Sequence, residues 1–75
     1  MSSKHFRACR QGLGLSQADV AFLFGVSKYL IYSYERGTYP VSAMASRLMH
    51  LLVNNPELQD QLISFKGEEK HALPT

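Results

Sequence analysis

Seventy-five residues, 45% of them apolar and one of them cysteine, suffice for one small globular domain and exclude an intramolecular disulfide. No stretch approaches the roughly 20 apolar residues that cross a bilayer. Met1-Ser2-Ser3-Lys4-His5 also lacks the apolar run of a signal peptide, so a soluble cytoplasmic chain without a membrane partner is expected. The net charge of +2 is unevenly spread: residues 1–47 carry +4 through Lys4, Arg7, Arg10, Lys28, Arg36 and Arg47 against Asp19 and Glu35, and residues 48–75 carry −2. Ordinary solvated charge could give that asymmetry, and so could a protein that meets nucleic acid with one side.

Phe6, Cys9 and Leu13, spaced by three and four, give the first helix an apolar face, and Gly12 and Gly14 end it. Ser16 is an N-cap for a second helix over 17–24, which Gly25 terminates because glycine reaches positive φ without strain. Ser27 caps a third helix over 28–36, closed in the same way by Gly37. Only Gly25, Val26 and Ser27 connect these two helices, so they must cross steeply. Thr38, Tyr39 and Pro40 form a loop, since Pro40 disfavours helix at Tyr39. Ser42 caps a fourth helix over 43–53, with an apolar stripe of Met44 or Ala45, Leu48, Leu51 and Leu52. Asn54-Asn55-Pro56 is a break, and a fifth helix over 57–65 carries Leu58, Leu62 and Phe65 on one side. Residues 67–75 read as a frayed tail, leaving 4–66 as the domain.

The informative segment is 15–37. Ala21 must be small because the third helix crosses the second there. Val26 points into the core. Ile31 and Tyr34 face inward, while Lys28, Tyr29, Tyr32, Ser33 and Arg36 face outward. With its Leu15-Ser16-Gln17, mid-helix Ala21, Gly25-Val26-Ser27, Ile31, aromatic Tyr34, Glu35 and Gly37 all in register, the chain resembles the Cro/CI-type (XRE-type) helix-turn-helix proteins. The likeness covers residues 6–52. The run from Arg47 through Pro56 to Leu58 is similar, more loosely, to DNA-binding domains of HigA/MqsA-like antitoxins.

That resemblance implies an all-α, five-helix lambda-repressor-like DNA-binding domain, with the third helix in the major groove of double-stranded DNA. By position Lys28, Tyr29 and Ser33, with Tyr32 beside them, are the base-contacting candidates. Gln17, Ser27, Thr38, Tyr39, Ser42 and Arg47 are the phosphate-contacting ones. Arg10 and Glu35 occupy the positions of the family's structural ion pair and are expected to fix the third helix rather than to read DNA. Two departures stand out. Phe22 falls where the family usually has an exposed charge, and tyrosines replace the Gln, Asn or Arg common in its recognition helices.

Cys9 sits in an aliphatic slot and reads as core. His5, His50 and His71 are far apart in sequence, with no Cys or carboxylate at ligand spacing, so neither metal nor cofactor is expected. No nucleophile–base grouping or phosphate loop can be assembled, and the chain is not read as an enzyme. The expected function is that of a transcriptional regulator, a repressor in the first instance, with an antitoxin or a phage or mobile-element autoregulator as forms of it. It would act as a homodimer through the fourth and fifth helices and Phe22, and the antitoxin form adds a cognate toxin. The alternative is a protein-interaction module of the same fold, favoured by Phe22, Tyr29, Tyr32 and Tyr39.

Overall fold

The structure is a computed structural model that describes residues 1–61 and residue 64. It is all-α: α1 (Ser3–Gly12), α2 (Gln17–Phe24), α3 (Lys28–Arg36) and α4 (Ala43–Asn54), followed by a fifth helical stretch over 56–61 and at 64. The described residues contain no strand. The expected fifth-helix residues Leu62 and Phe65, the domain end at 66 and the tail over 67–75 lie outside the described residues.

Each of the four helices begins at a serine whose hydroxyl oxygen accepts from a backbone amide three residues on. Ser2 accepts from His5, Ser16 from Asp19, Ser27 from Leu30 and Ser42 from Ala45, all at 3.0–3.1 Å. Each bond satisfies one of the free donors of a helix start. At α2 the cap is reciprocal, because the Asp19 carboxylate accepts from the Ser16 amide at 3.0 Å.

The ends of α2 and α3 share one device. Gly25 has φ +70°, its amide donates to the Phe22 carbonyl at 3.2 Å, and the Val26 amide donates to Ala21 at 3.0 Å. Gly37 has φ +80°, its amide donates to Tyr34 at 3.2 Å, and Thr38 donates to Ser33 at 3.0 Å. These paired bonds are the Schellman closure, which needs a left-handed residue and so favours glycine. At the first turn the chain reverses within three residues, and α3 is laid across α2 over the small Ala21, itself buried.

The core lies between these helices. Phe6, Leu15, Val20, Ala21, Ile31, Tyr34, Ala45 and Met49 form one buried cluster, with Cys9, Leu13, Phe24, Val26 and Leu30 packed around it. Phe6 is its centre. Its ring meets Tyr34 edge-on at 5.7 Å and Phe24 at 6.3 Å, arrangements that suit the aromatic quadrupole. The Tyr34 hydroxyl escapes burial without a partner by donating to Ser42 Oγ at 3.3 Å. The fifth helical stretch is tied back to the end of α1, where Gln59 Nε2 donates to the Leu13 carbonyl at 2.9 Å.

Of the stripe expected on α4, Ala45 and Leu52 are buried and Leu48 half-buried; Met49 is the further buried residue, while Leu51 is 51% exposed and Met44 70% exposed. Eight of the eleven residues 43–53 are apolar, so periodicity alone fixes no single face. The Tyr34–Ser42 hydrogen bond ties the start of α4 to α3. Accordingly Met49→Ala should cost about 2–5 kcal/mol in denaturant unfolding, whereas Met44→Ala should stay within about 0.5 kcal/mol. Equal losses in the two variants would overturn this register.

Candidate nucleic-acid interface

The orientation of α3 is set by a polar clamp built from three segments. Arg10, near the end of α1, donates from Nε to Glu35 Oε2 at 2.6 Å and from Nη2 to Glu35 Oε1 at 3.0 Å. Its remaining Nη1 donates to the Leu15 carbonyl in the α1–α2 turn at 2.8 Å. Gln17 Nε2, from the first residue of α2, donates to the same Glu35 Oε1 at 3.1 Å. The side chains of Arg10 and Glu35 are only 12% and 4% exposed. This is the two-pronged pairing that planar guanidinium and carboxylate groups permit, and it is stronger than a single contact.

Burial by itself would raise the Glu35 pKa. The hydrogen bonds from Arg10 and Gln17, and the positive charges of Arg10 and Arg7, outweigh it and lower the value. Arg10 is raised, first by its bond to Glu35 and against the cost of burial. A carboxylate depressed in the folded state stabilises the fold fully above the ordinary glutamate range, near pH 4.3. That contribution fades as pH falls through the lowered folded value. Acid titration of stability should therefore show a loss in that range that Glu35→Gln flattens. Arg10→Met, which strands the carboxylate, should cost about 3–5 kcal/mol near neutral pH. A wild-type acid limb that Glu35→Gln leaves unchanged would refute the clamp's electrostatic role.

With Glu35, Ile31 and Tyr34 turned inward, α3 presents Lys28, Tyr29, Tyr32 and Arg36 to solvent, and Tyr29 is 66% exposed. Gln17, Lys28, Tyr29 and Tyr32 border one open hollow of about 380 Å³. Gln17 thus lies both in the clamp and at the edge of the exposed face, with its second amide hydrogen still available. Arg36 Nη1 donates to the Tyr32 hydroxyl at 2.6 Å, and its guanidinium carbon is 5.4 Å from the Tyr32 ring centroid. The bond to Tyr32 raises the Arg36 pKa above its already high ordinary value.

Ser33 departs from the expectation. The helical period puts it on the outward face with the base-contacting residues, yet it is 2% exposed. Its position on the helix borders both faces, so period alone does not settle its burial. At the helix end its carbonyl accepts from the Thr38 and Tyr39 amides, at 3.0 and 3.4 Å.

Among the phosphate-contacting candidates, Ser27, Thr38, Tyr39 and Ser42 are exposed around α3 and its following loop. Ser27 and Ser42 use their oxygens as caps and keep a hydroxyl hydrogen to donate. Arg47 is exposed on α4, beside a hollow of about 600 Å³ that Ser46, His50, Leu51, Asn54 and Asn55 also line. Phe22 is half-buried rather than exposed.

His5 and His50, distant in sequence, border the same small cavity of about 60 Å³ with Cys9, Val53 and Asn54. No group of His, Cys, Asp or Glu among the described residues could hold a metal ion. His71 lies outside the described residues. No helix among the described residues is long and apolar enough to cross a membrane. Sequence reasoning gave Arg36 no role; its four-residue spacing from Tyr32 is the signal that points to the pairing.

Two helices joined by a glycine turn, the second clamped by a buried ion pair with its outer face bare, define a helix-turn-helix domain. The chain belongs to this family: the family model described as Helix-turn-helix matches residues 6–52. It is also similar to a protein of Sulfurisphaera tokodaii provisionally named an HTH-type transcriptional regulatory protein, with 37% identity over 70 residues. That match covers 93% of this chain and 24% of the relative, so the chain spans about a quarter of the relative's length. No solved structure matches the chain.

Proposed function

We propose that the protein binds a specific double-stranded DNA site as a transcriptional regulator, with α3 lying in the major groove. The observation that carries this reading is the bare outer face of α3, held in place from behind by Arg10, Glu35 and Gln17. Lys28 can donate to guanine O6 and N7, and the Tyr29 ring can cover a thymine methyl. Both stand at the N-terminal end of the helix, the end that meets base edges in this docking geometry. Gln17, Ser27, Thr38, Tyr39, Ser42 and Arg47 contact phosphates. Ser33, buried at the border of the face, is left out of the base-reading set.

One α3 offers few base contacts, so high specificity calls for a second copy. A homodimer on a near-palindromic operator, with half-sites about 34 Å apart, meets that need. Its interface is drawn from α4, where Met44, Leu51 and Val53 stand exposed, together with the fifth helical stretch and Phe22. The regulator acts in the cytoplasm as a repressor. An antitoxin with a cognate toxin partner and an autoregulator of a phage or mobile element are two forms of the same proposal. The exposed Tyr29, Tyr32 and Tyr39 support a second reading, a protein-interaction module of the same fold.

Selection of bound sequences from random duplexes separates the two. Wild type should enrich a symmetric site, with binding that weakens steeply as salt rises. Lys28→Ala and Tyr29→Ala should shift the preferred bases. Gln17→Ala should weaken every site alike, with a stability measurement to account for its lost bond to Glu35. An unenriched pool would favour the interaction module, and an unchanged motif in both α3 variants would remove the residue assignments.

A further inference from the structure

Arg36 ends α3, and its neighbour in sequence, Glu35, is turned inward onto Arg10 and Gln17. The adjacent carboxylate is therefore spoken for, and the exposed guanidinium leans instead on Tyr32, one turn back along the same face. Two contacts fix it there: Nη1 donates to the Tyr32 oxygen at 2.6 Å, and the guanidinium carbon stands 5.4 Å from the ring centroid. Because the Tyr32 oxygen is the acceptor, its own hydrogen remains to be donated elsewhere. The guanidinium likewise keeps four of its five N–H groups. Accepting from a cation also polarises the phenol and makes it a better donor. The pair thus offers one positive charge and two adjacent sets of donors, a combination that suits an anionic oxygen.

Position along the helix points to the same ligand. Lys28, Tyr32 and Arg36 recur every four residues and form one stripe. At 1.5 Å per residue Arg36 lies about 12 Å from Lys28 along the axis, comparable to the roughly 12 Å width of the major groove. With the Lys28 end at the base edges, the Arg36 end arrives at the rim of the groove, where the phosphates run. Building on the DNA-binding reading above, we infer that Tyr32 and Arg36 form a preassembled clamp for one backbone phosphodiester of duplex DNA, Arg36 supplying the charge and Tyr32 positioning it and adding a donor. Tyr32 thereby leaves the base-reading set, and the base readers are Lys28 and Tyr29. The ring also limits the rotamers open to Arg36, so less side-chain freedom is lost on binding than for an unsupported arginine.

The test is the salt dependence of duplex binding and the selected motif, measured for wild type, Arg36→Ala, Arg36→Lys and Tyr32→Phe, with thermal unfolding to verify that these surface variants fold. Arg36→Ala should reduce the slope of log affinity against log salt by about 0.9 and weaken all sequences alike. Arg36→Lys should keep the slope and lose affinity, because lysine carries the charge without the planar fork. Tyr32→Phe keeps the ring and removes the hydroxyl. It should weaken binding about threefold to tenfold at unchanged slope and unchanged motif. Neutral methylphosphonate placed at successive positions of the selected site should reveal one phosphate whose replacement harms wild type but not Arg36→Ala. A changed base preference in Arg36→Ala would make Arg36 a base reader and overturn the clamp. An unchanged slope in Arg36→Ala beside salt-dependent binding by wild type would overturn the clamp alone. Absence of saturable duplex binding by wild type would take the regulator reading with it.

Discussion

Glu35 is where the chain commits its geometry. One carboxylate collects two donors from Arg10 and one from Gln17, while Arg10 reaches on to the Leu15 carbonyl. Through these four bonds α1, the α1–α2 turn, α2 and α3 are fastened at a single point. An ion pair so enclosed is weak support for overall stability, since removing two charges from water costs nearly what their attraction returns. Its value here is directional. Each oxygen of Glu35 faces a donor fixed to another element, so α3 cannot roll about its axis without breaking several charged bonds together. The aromatic packing of Phe6 on Tyr34 restrains the same helix from its apolar side.

That restraint is what leaves the opposite face of α3 free. The inward residues Ile31, Tyr34 and Glu35 occupy one arc, and Lys28, Tyr29, Tyr32 and Arg36 are left on the other. The glycine turns complete the arrangement, since they shorten the connections until no loop lies over that outer arc. Ser33, at the border between the two faces, is buried, while Lys28, Tyr29, Tyr32 and Arg36 stay exposed. A rigid, uncovered stripe is the property a groove-binding helix requires, because contacts to base edges discriminate only when their positions are fixed before binding.

The surface chemistry of the stripe is unusual in being aromatic rather than amide-rich. Tyrosine brings two rotatable bonds, a ring and a hydroxyl, so it can cover apolar base edges and still bond to phosphate. The Tyr32–Arg36 pair shows one use of this: an aromatic ring serves as the shelf for a cation that would otherwise sample many rotamers. Charge placement agrees with it. The positive excess lies in residues 1–47, and Glu35, the one acidic residue of α3, is withdrawn into the clamp.

Local chemistry in the sequence determined the punctuation: Ser16 and Ser27 as starts, Gly25 and Gly37 as stops, and hence the bounds of α2 and α3. Caps and left-handed turns depend on residues within five positions of one another, so they are legible without knowing the fold. The positions of Arg10 and Glu35, Ile31 and Tyr34 were legible as well, through the family resemblance and the helical period. Three matters were decided only by tertiary structure. The rotation of α4 was hidden because apolar residues surround that helix, and membership of the buried core cluster rather than period singles out Met49. The burial of Ser33, at the border of the two faces of α3, was likewise beyond what the helical period could assign. That His5 and His50 border one cavity depends on the distance between α1 and α4, whereas the pairing of Tyr32 with Arg36, four residues apart on α3, carried a signal in the sequence. A sequence carries the short-range forces that begin and end helices; which of two plausible faces is covered is settled by neighbours that lie close in space and far along the chain.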